Sequence, residues 1–256
     1  MKLAGKVVIV TGAGSGIGRA LARRFVAEGA KGVLCADLQA DAVQAVADEI
    51  GAVAVACDVA DEAQIQALVQ RAESDIGPVD VFCSNAGIAQ LGDENAPDSD
   101  WQRNWDIHVM AHVYAARAVC PGMAARGSGY LVNTASAAGL LTHVNSATYS
   151  VTKHAAVALA EYLSISHAPS GIRVSVLCPQ AVRTAMTQGL EAGVASVDGM
   201  IEPETLAECV VQTMDKEEFL IIPHLEVLEY MRRKTNDYDR WLRGMRRMKH
   251  DFGPGV

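Results

Sequence analysis

Residues 7–18 read Val7-Val8-Ile9-Val10-Thr11-Gly12-Ala13-Gly14-Ser15-Gly16-Ile17-Gly18, a β-branched run that passes through a glycine-rich turn into a new periodicity. Beyond the turn, Ile17, Ala20, Leu21, Ala22 and Phe25 recur at helical spacing, so the stretch predicts a strand, a tight loop and a helix. Glycines between a strand and a helix let backbone amides approach a pyrophosphate, and the helix start adds the positive end of its dipole. The register is Thr-Gly-x-x-x-Gly-x-Gly rather than Gly-x-Gly-x-x-Gly, because Ile17 holds the last place of the second pattern. A plain tight turn with glycines at positive φ is the alternative reading of the loop.

Outward from this unit, similar apolar runs stand at 32–36, 53–57, 79–83, 130–133, 174–178 and 219–222, separated by alanine-rich segments. Runs that are apolar at nearly every position suit strands buried on both faces. Alternating strands and helices then predict an α/β fold: one doubly wound domain over 1–256, with a seven-stranded parallel sheet flanked by helices. Ligands in such sheets bind beyond the carboxyl ends of the strands. A chain of 256 residues and 27.1 kDa suits one core, and 50% hydrophobic with 20% charged residues excludes disorder along its length.

Net charge is −8, which argues against a nucleic-acid partner. It is unevenly spread: residues 1–228 carry −12, and from Glu229 onward eight Lys or Arg face four Asp or Glu. Six well-separated cysteines at 35, 57, 83, 120, 178 and 209 read as buried hydrophobes, with no metal-ligand spacing. The stretch 127–152 lacks Asp, Glu, Lys and Arg but is too rich in Ser, Thr, Asn and His to span a membrane. A protein of the reducing cytoplasm, with no membrane partner, is expected.

Candidate site residues fall after the runs. Asp37 ends the second one, 19 positions past Gly18, where a carboxylate accepts from ribose hydroxyls and repels a 2′-phosphate. With Ser15 and Leu38 uncharged, NAD is favoured over NADP. Asp58 reads either as an adenine contact or as a helix cap before Asp61 and Glu62. Tyr149 and Lys153, four apart, share a helix face, and a nearby ammonium, reinforced by the positive nicotinamide of the oxidised cofactor, is expected to draw the phenol's pKa down from ~10 toward the working pH. Ser136, 13 residues before Tyr149, is placed to hold the same substrate oxygen.

Together with Asn85-Ala86-Gly87 after the fourth run, these elements resemble the short-chain dehydrogenase/reductase family over residues 6 to about 222. The resemblance implies a Rossmann-type fold and a nicotinamide cofactor, with Gly12, Gly16 and Gly18 in the cofactor loop and Ser15 and Ile17 beside them. It implies Asp37 and Leu38 at the adenosine ribose, Asp58 and Val59 at the adenine, and Asn85, Ala86 and Gly87 beyond. Pro179, Val182 and Thr184 match the stretch that grips the carboxamide. Ser136, Tyr149 and Lys153 match the catalytic serine, tyrosine and lysine, with Lys153 also on the nicotinamide ribose. Ser84 replaces the leading asparagine of the Asn-Asn-Ala-Gly motif. Two further departures stand out: His108 occupies the place of the catalytic asparagine, where it is expected to serve in the proton relay, with Asn104 as a rival, and Gln180 replaces the glycine that usually follows Pro179.

The expected activity is NAD-dependent interconversion of a neutral, mostly apolar secondary alcohol and its ketone, as by an alcohol dehydrogenase or carbonyl reductase. The alternatives are an NADPH-type 3-ketoacyl carrier reductase and a non-catalytic NAD(H)-sensing protein. Ala137, Ala138, Leu140, His143 and Val144 are expected to wall the pocket with Gln90, Leu91, Ala181 and Met186, without convergent cations. A lid is expected over 183–202. A basic amphipathic helix is expected over 225–250, its stripe of Tyr238, Trp241, Leu242, Met245 and Met248 packing in a subunit contact of a homodimer or homotetramer.

Overall fold

Each of the seven apolar runs forms a strand: β1 (Val7–Thr11), β2 (Gly32–Asp37), β3 (Val53–Ala56), β4 (Val81–Ser84), β5 (Gly129–Thr134), β6 (Ile172–Leu177) and β7 (Leu220–Ile221). The computed structural model describes residues 1–189 and 193–253. The strands pair in parallel in the order β3-β2-β1-β4-β5-β6-β7. Successive strands run outward to one side up to β3, and the chain then returns to lay β4 on the other side of β1. The loops after β1 and β4 therefore part in opposite directions and open a crevice at the carboxyl edge.

Alternation along each strand fills two apolar layers. Val8, Val10, Val33, Cys35 and Val132 face one side, where they pack with Leu21 and Phe25 of α1 (Gly16–Ala27). Val43 of α2 (Ala40–Ile50) completes that layer together with Leu206 and Val210 of a later helix, 203–216. Ile9, Leu34, Phe82 and Leu131 face the other side, against Ile65 and Leu68 of α3 (Glu62–Asp75). There α4 (Asp98–Trp105) runs through a π-helical turn, Asp106–Met110, into α5 (Ala111–Arg126), which contributes Val119 and Met123. The short α6 (Ala138–Leu141) precedes α7 (Ala147–His167), whose Ala156, Ala160 and Leu163 close the layer. Pro203 opens α8 (Pro203–Lys216) at a position where its missing N–H costs nothing. Among the described residues no helix is long and apolar enough to cross a membrane.

The basic segment expected as one helix over 225–250 is two: α9 (Glu226–Asn236) and α10 (Tyr238–Phe252). Asp237 is extended, and its carboxylate accepts from the Arg240 N–H at 2.9 Å, so one residue ends the first helix and caps the second. Part of the stripe expected at a subunit contact is covered within the chain. Trp241 packs within its own chain beside Tyr230, in a small apolar cluster with Leu141, Ile222 and Val227. Lys234 Nζ donates to the Leu140 carbonyl and Asn145 Nδ2 to the Phe252 carbonyl, which ties both helices to the α6 region. Tyr238 and Leu242 stay exposed.

The stretch expected as a lid is anchored at both ends. Val182 and Ile201 form a parallel bridge, Arg183 N donates to the Ile201 carbonyl, and Ala181 N donates to the Ala195 carbonyl. Residues 190–192 of that stretch, and 254–256 of the domain, lie outside the described residues.

Candidate active site

The glycine loop has the steric form of a cradle. A Cβ on Gly18 would stand 2.1 Å from the Gly12 carbonyl oxygen, so only glycine lets the first turn of α1 press onto the loop. Gly12 adopts φ +66°, and a Cβ there would lie 2.9 Å from Ala86 Cα, which joins the two sides of the crevice. Ser15, at the N-cap of the 12-residue α1, makes no side-chain cap bond. The first-turn amides thus remain free for an anionic group.

Asp37 stands at the mouth of this loop, where Oδ2 accepts from Gly14 N and Oδ1 from Gln39 N, each at 3.0 Å. Each oxygen keeps a lone pair for a hydroxyl donor. Nearby, Asp61 caps α3 by accepting from Ala63 N at 2.9 Å, which removes the capping reading of Asp58. Asp58 accepts from Ala60 N and lines the crevice with Val59 and Leu38.

A hydrogen-bonded clamp joins three strand ends. Thr11 Oγ1 accepts from the backbone N–H of Asn85 and Ala86, at 2.9 and 3.1 Å. Asn85 Nδ2 donates to the Thr11 carbonyl at 3.0 Å, and its Oδ1 accepts from Thr134 Oγ1 at 3.1 Å. The Thr134 carbonyl in turn accepts from Lys153 Nζ at 3.1 Å. Asn85 thus acts through the backbone it holds. Thr11 and Thr134, which sequence reasoning left out, share the task.

Ser146 caps α7 by accepting from Tyr149 N, and so places Tyr149 and Lys153 on the helix face turned to the crevice. Lys153 is buried, and burial lowers its pKa to about 8. Burial also raises the Tyr149 pKa, against a smaller lowering by the Ser136 hydroxyl. In the free protein, without the nicotinamide charge that the expectation also invoked, the shift is therefore upward. Lys153 Nζ lies 5.6 Å from the centre of the phenol ring and is itself starved of water, so its field does not overcome desolvation.

His108 does not line the crevice. It is fully buried behind it in the π-helical turn, an irregularity frequent at functional sites. Its ring meets Tyr149 edge-on, with centroids 5.4 Å apart. Nδ1 is 3.0 Å from Thr152 Oγ1, and Nε2 is 3.2 Å from the Ile88 amide and 3.1 Å from the Ile88 carbonyl. Thr152 already donates to the Thr148 carbonyl, so the tautomer with Nδ1–H donating to Thr152 and Nε2 accepting from Ile88 N uses every donor. Burial foremost, then the charge of Lys153, push its pKa down to about 2, and the ring is neutral. His112, one turn on, is also buried and accompanies Ser84 at 2.7 Å, the residue that replaces the motif's leading asparagine. Asn104 donates to the Gln90 and Asp100 carbonyls and is a loop staple rather than a rival.

The remaining site residues share one crevice of about 1540 Å³. That volume exceeds a typical single-ligand pocket of ~300–1,000 Å³ and leaves room for a dinucleotide and a second molecule. Ser136, Pro179, Val182 and Thr184 line it, as do Gly87 and the loop residues Ser15, Gly16 and Ile17. Of the expected walls, Leu140 and Gln90 do not: Leu140 packs toward α9, and the Gln90 carbonyl is taken by Asn104 and Thr148. Gln180 Nε2 donates to Asp198, which also accepts from the Tyr230 hydroxyl, so this departure ties the loop after β6 to α9. Trp241, Met245, Arg240 and Arg247 of α10 line the crevice too, a placement that the amphipathic pattern of that helix does not encode.

Residues 6–195 match the family described as short chain dehydrogenase. The chain belongs to that family. Among the relatives of this short-chain dehydrogenase, a 1-deoxy-11-beta-hydroxypentalenate dehydrogenase of Streptomyces exfoliatus is 34% identical over 93% of the chain and 90% of its own length. A short-chain dehydrogenase/reductase from Burkholderia phymatum, solved in complex with NAD, superposes with a TM-score of 0.87 at 28% identity, covering 93% of this chain and 96% of that one. A 3-ketoacyl-(acyl-carrier-protein) reductase from Brucella melitensis, complexed with NADH, gives 0.79 at 30% identity, covering 87% and 98%. These likenesses support a nicotinamide cofactor, and the glycine cradle, the uncapped first turn of α1 and the free lone pairs of Asp37 fit one.

Lys153 also bears on stability. Its lowered folded pKa means that the unfolded chain binds the extra proton between about pH 8 and the ordinary lysine value of 10.5, so its burial destabilises the fold most below that window. Lys153→Met is expected to raise the urea midpoint at pH 7 by an amount equivalent to ~2–3 kcal/mol, a gain that fades as pH rises toward 10.5. Denaturation midpoints that fall at pH 7 would contradict this.

Proposed function

We propose that the chain is an NAD-dependent oxidoreductase that interconverts a secondary alcohol and its ketone, with Tyr149 as the proton donor and acceptor. One observation carries the reading: Ser136, Tyr149 and Lys153 converge at one end of a crevice whose other end carries Asp37 and the glycine loop. The bound nicotinamide supplies the acceptor or donor of a hydride. Ser136 orients the substrate oxygen. In oxidation Tyr149 takes the hydroxyl proton while the carbon–hydrogen electron pair leaves, and in reduction Tyr149 returns the proton to the carbonyl oxygen. Lys153 favours the phenolate by its charge. Ala137, Leu141 and Val144 of the crevice wall are uncharged and suit an apolar carbon skeleton.

Because the free Tyr149 is pushed above its ordinary pKa by burial, it is protonated at neutral pH. The rate of alcohol oxidation is expected to rise with pH, and the rate of ketone reduction to fall at the alkaline end. Tyr149→Phe should abolish both while NADH still binds. Retained turnover in that variant removes Tyr149 from the mechanism.

NAD is favoured because a carboxylate, not a cation, stands at the ribose position. Ser15 and Leu38 beside it are uncharged, and Arg19 and Arg23 are engaged by Glu49. Fluorescence titration should find tighter binding of NADH than NADPH, with the preference narrowed or reversed in Asp37→Ala/Leu38→Arg. A chain that prefers NADPH from the outset contradicts the reading.

The Brucella melitensis likeness supports a second reading, reduction of a 3-ketoacyl carrier. Since that protein is complexed with NADH, the nucleotide does not separate the two readings. Comparing acetoacetyl carrier protein with free alcohols as substrates does.

His108 is a positioning residue in this scheme, acting through the Ile88 and Thr152 groups that it joins behind Tyr149. His108→Asn is expected to keep the pH profile of kcat nearly intact and His108→Ala to shift it. Identical profiles in wild type and both variants would make the position purely structural.

A further inference from the structure

The arginines of α10 divide into two sets. Arg240 and Arg247 line the crevice on either side of Trp241, Gly244 and Met245, whereas Arg243 and Arg246 do not line it. Spacing of seven residues puts the two inner arginines about 10 Å apart along the helix. Gly244 lies between them, and the Arg247 guanidinium reaches within 3.8 Å of the point that a Gly244 Cβ would occupy. The missing side chain lets Arg247 lie over Gly244 at the crevice wall.

Among the described residues neither arginine has a carboxylate partner within salt-bridge distance. The ion pairs of α9 and α10 among the described residues are Arg233 with Glu229 and His250 with Asp251. Asp237, three residues before Arg240, spends an oxygen on the helix cap, and Asp239, the immediate neighbour of Arg240, lies within salt-bridge distance of no arginine of the helix. Elsewhere on the chain, arginines that approach acids do pair, as Arg24 does with Glu28 and Arg183 with Glu202. The −12 carried by residues 1–228 makes most of the surface repel anions, so an unpaired cationic pair at the crevice rim would draw one to this point.

We propose that the substrate carries a carboxylate at the end remote from its reacting carbon, held by Arg240 and Arg247. Its apolar skeleton lies between, along Leu141, Val144, Trp241 and Met245. This rests on the dehydrogenase reading only for the word substrate; the acid site itself does not depend on turnover. A guanidinium fork matches a carboxylate with two parallel hydrogen bonds, and Trp and Met neighbours strengthen such a pair by limiting water. The outward arginines lack the apolar approach that would select an amphipathic acid.

The test uses the full chain saturated with NAD and three eight-carbon probes, octanoate, octanamide and octyl phosphate, each titrated by calorimetry. Octanoate should bind at least about tenfold more tightly than octanamide. Arg240→Gln and Arg247→Gln should erase that preference, and Arg243→Gln and Arg246→Gln should keep it. Equal affinity for acid and amide, no heat from any probe, or equal losses in the outward variants overturn the proposal. Stronger binding of octyl phosphate through the same arginines overturns the carboxylate assignment in favour of a phosphate ester. A chain that oxidises no alcohol yet keeps the arginine-dependent preference for octanoate sinks the proposed activity and leaves the acid site standing.

Discussion

The clamp from Thr11 through Asn85 and Thr134 to Lys153 is the constraint on which the rest of the site depends. It ties the ends of β1, β4 and β5 at the place where the strand order reverses, and it runs from the backbone that carries the glycine loop to the amine beside Tyr149. Each bond is modest alone, worth ~1 kcal/mol net, but breaking one inside a buried network strands a donor or acceptor at a cost of ~1–3 kcal/mol. The two ends of the crevice are thereby held in fixed relation. Two molecules that must meet at reacting distance need that more than they need tight binding.

Lys153 shows what such an arrangement costs. A buried ammonium with one carbonyl acceptor is a poor contributor to the fold, and its lowered pKa records the penalty. Tyr149 sits in the same dry setting and is shifted upward. Both shifts arise from lost hydration, and they move the two groups apart in proton affinity, the ammonium downward to about 8 and the phenol upward. Two neighbouring buried imidazoles, His108 and His112, remain neutral for the same reason and add no competing charge.

Much of this was legible in the sequence because the sheet is parallel. Strands buried on both faces must be apolar at nearly every position, so all seven could be read from short runs such as 32–36 and 174–178. The glycines of the loop, Asp37, Ser136 and the Tyr149/Lys153 pair were likewise visible, since each requires a specific residue type at a strand end or on one helix turn. His108 was visible as a departure but not as a buried bridge, because its partners Ile88 and Thr152 come from other elements. The break in the C-terminal helix was hidden for a related reason. An amphipathic pattern states that a face is buried, not what covers it, and the break at Asp237 turned α10 back over the crevice of its own chain. The direction of the Tyr149 shift depended on desolvation, which spacing does not encode.

Everything that roofs the reacting end beyond β7 is one continuous terminal block, joined to the remainder through α6, Asn145 and the small cluster around Ile222. The nucleotide half is complete before that block begins. The proposed reacting residues and the roof above them therefore come from separate stretches of chain. A change in the last thirty or so residues reshapes the crevice wall and leaves the positions of the glycine loop, Asp37, Ser136, Tyr149 and Lys153 to the sheet and α7.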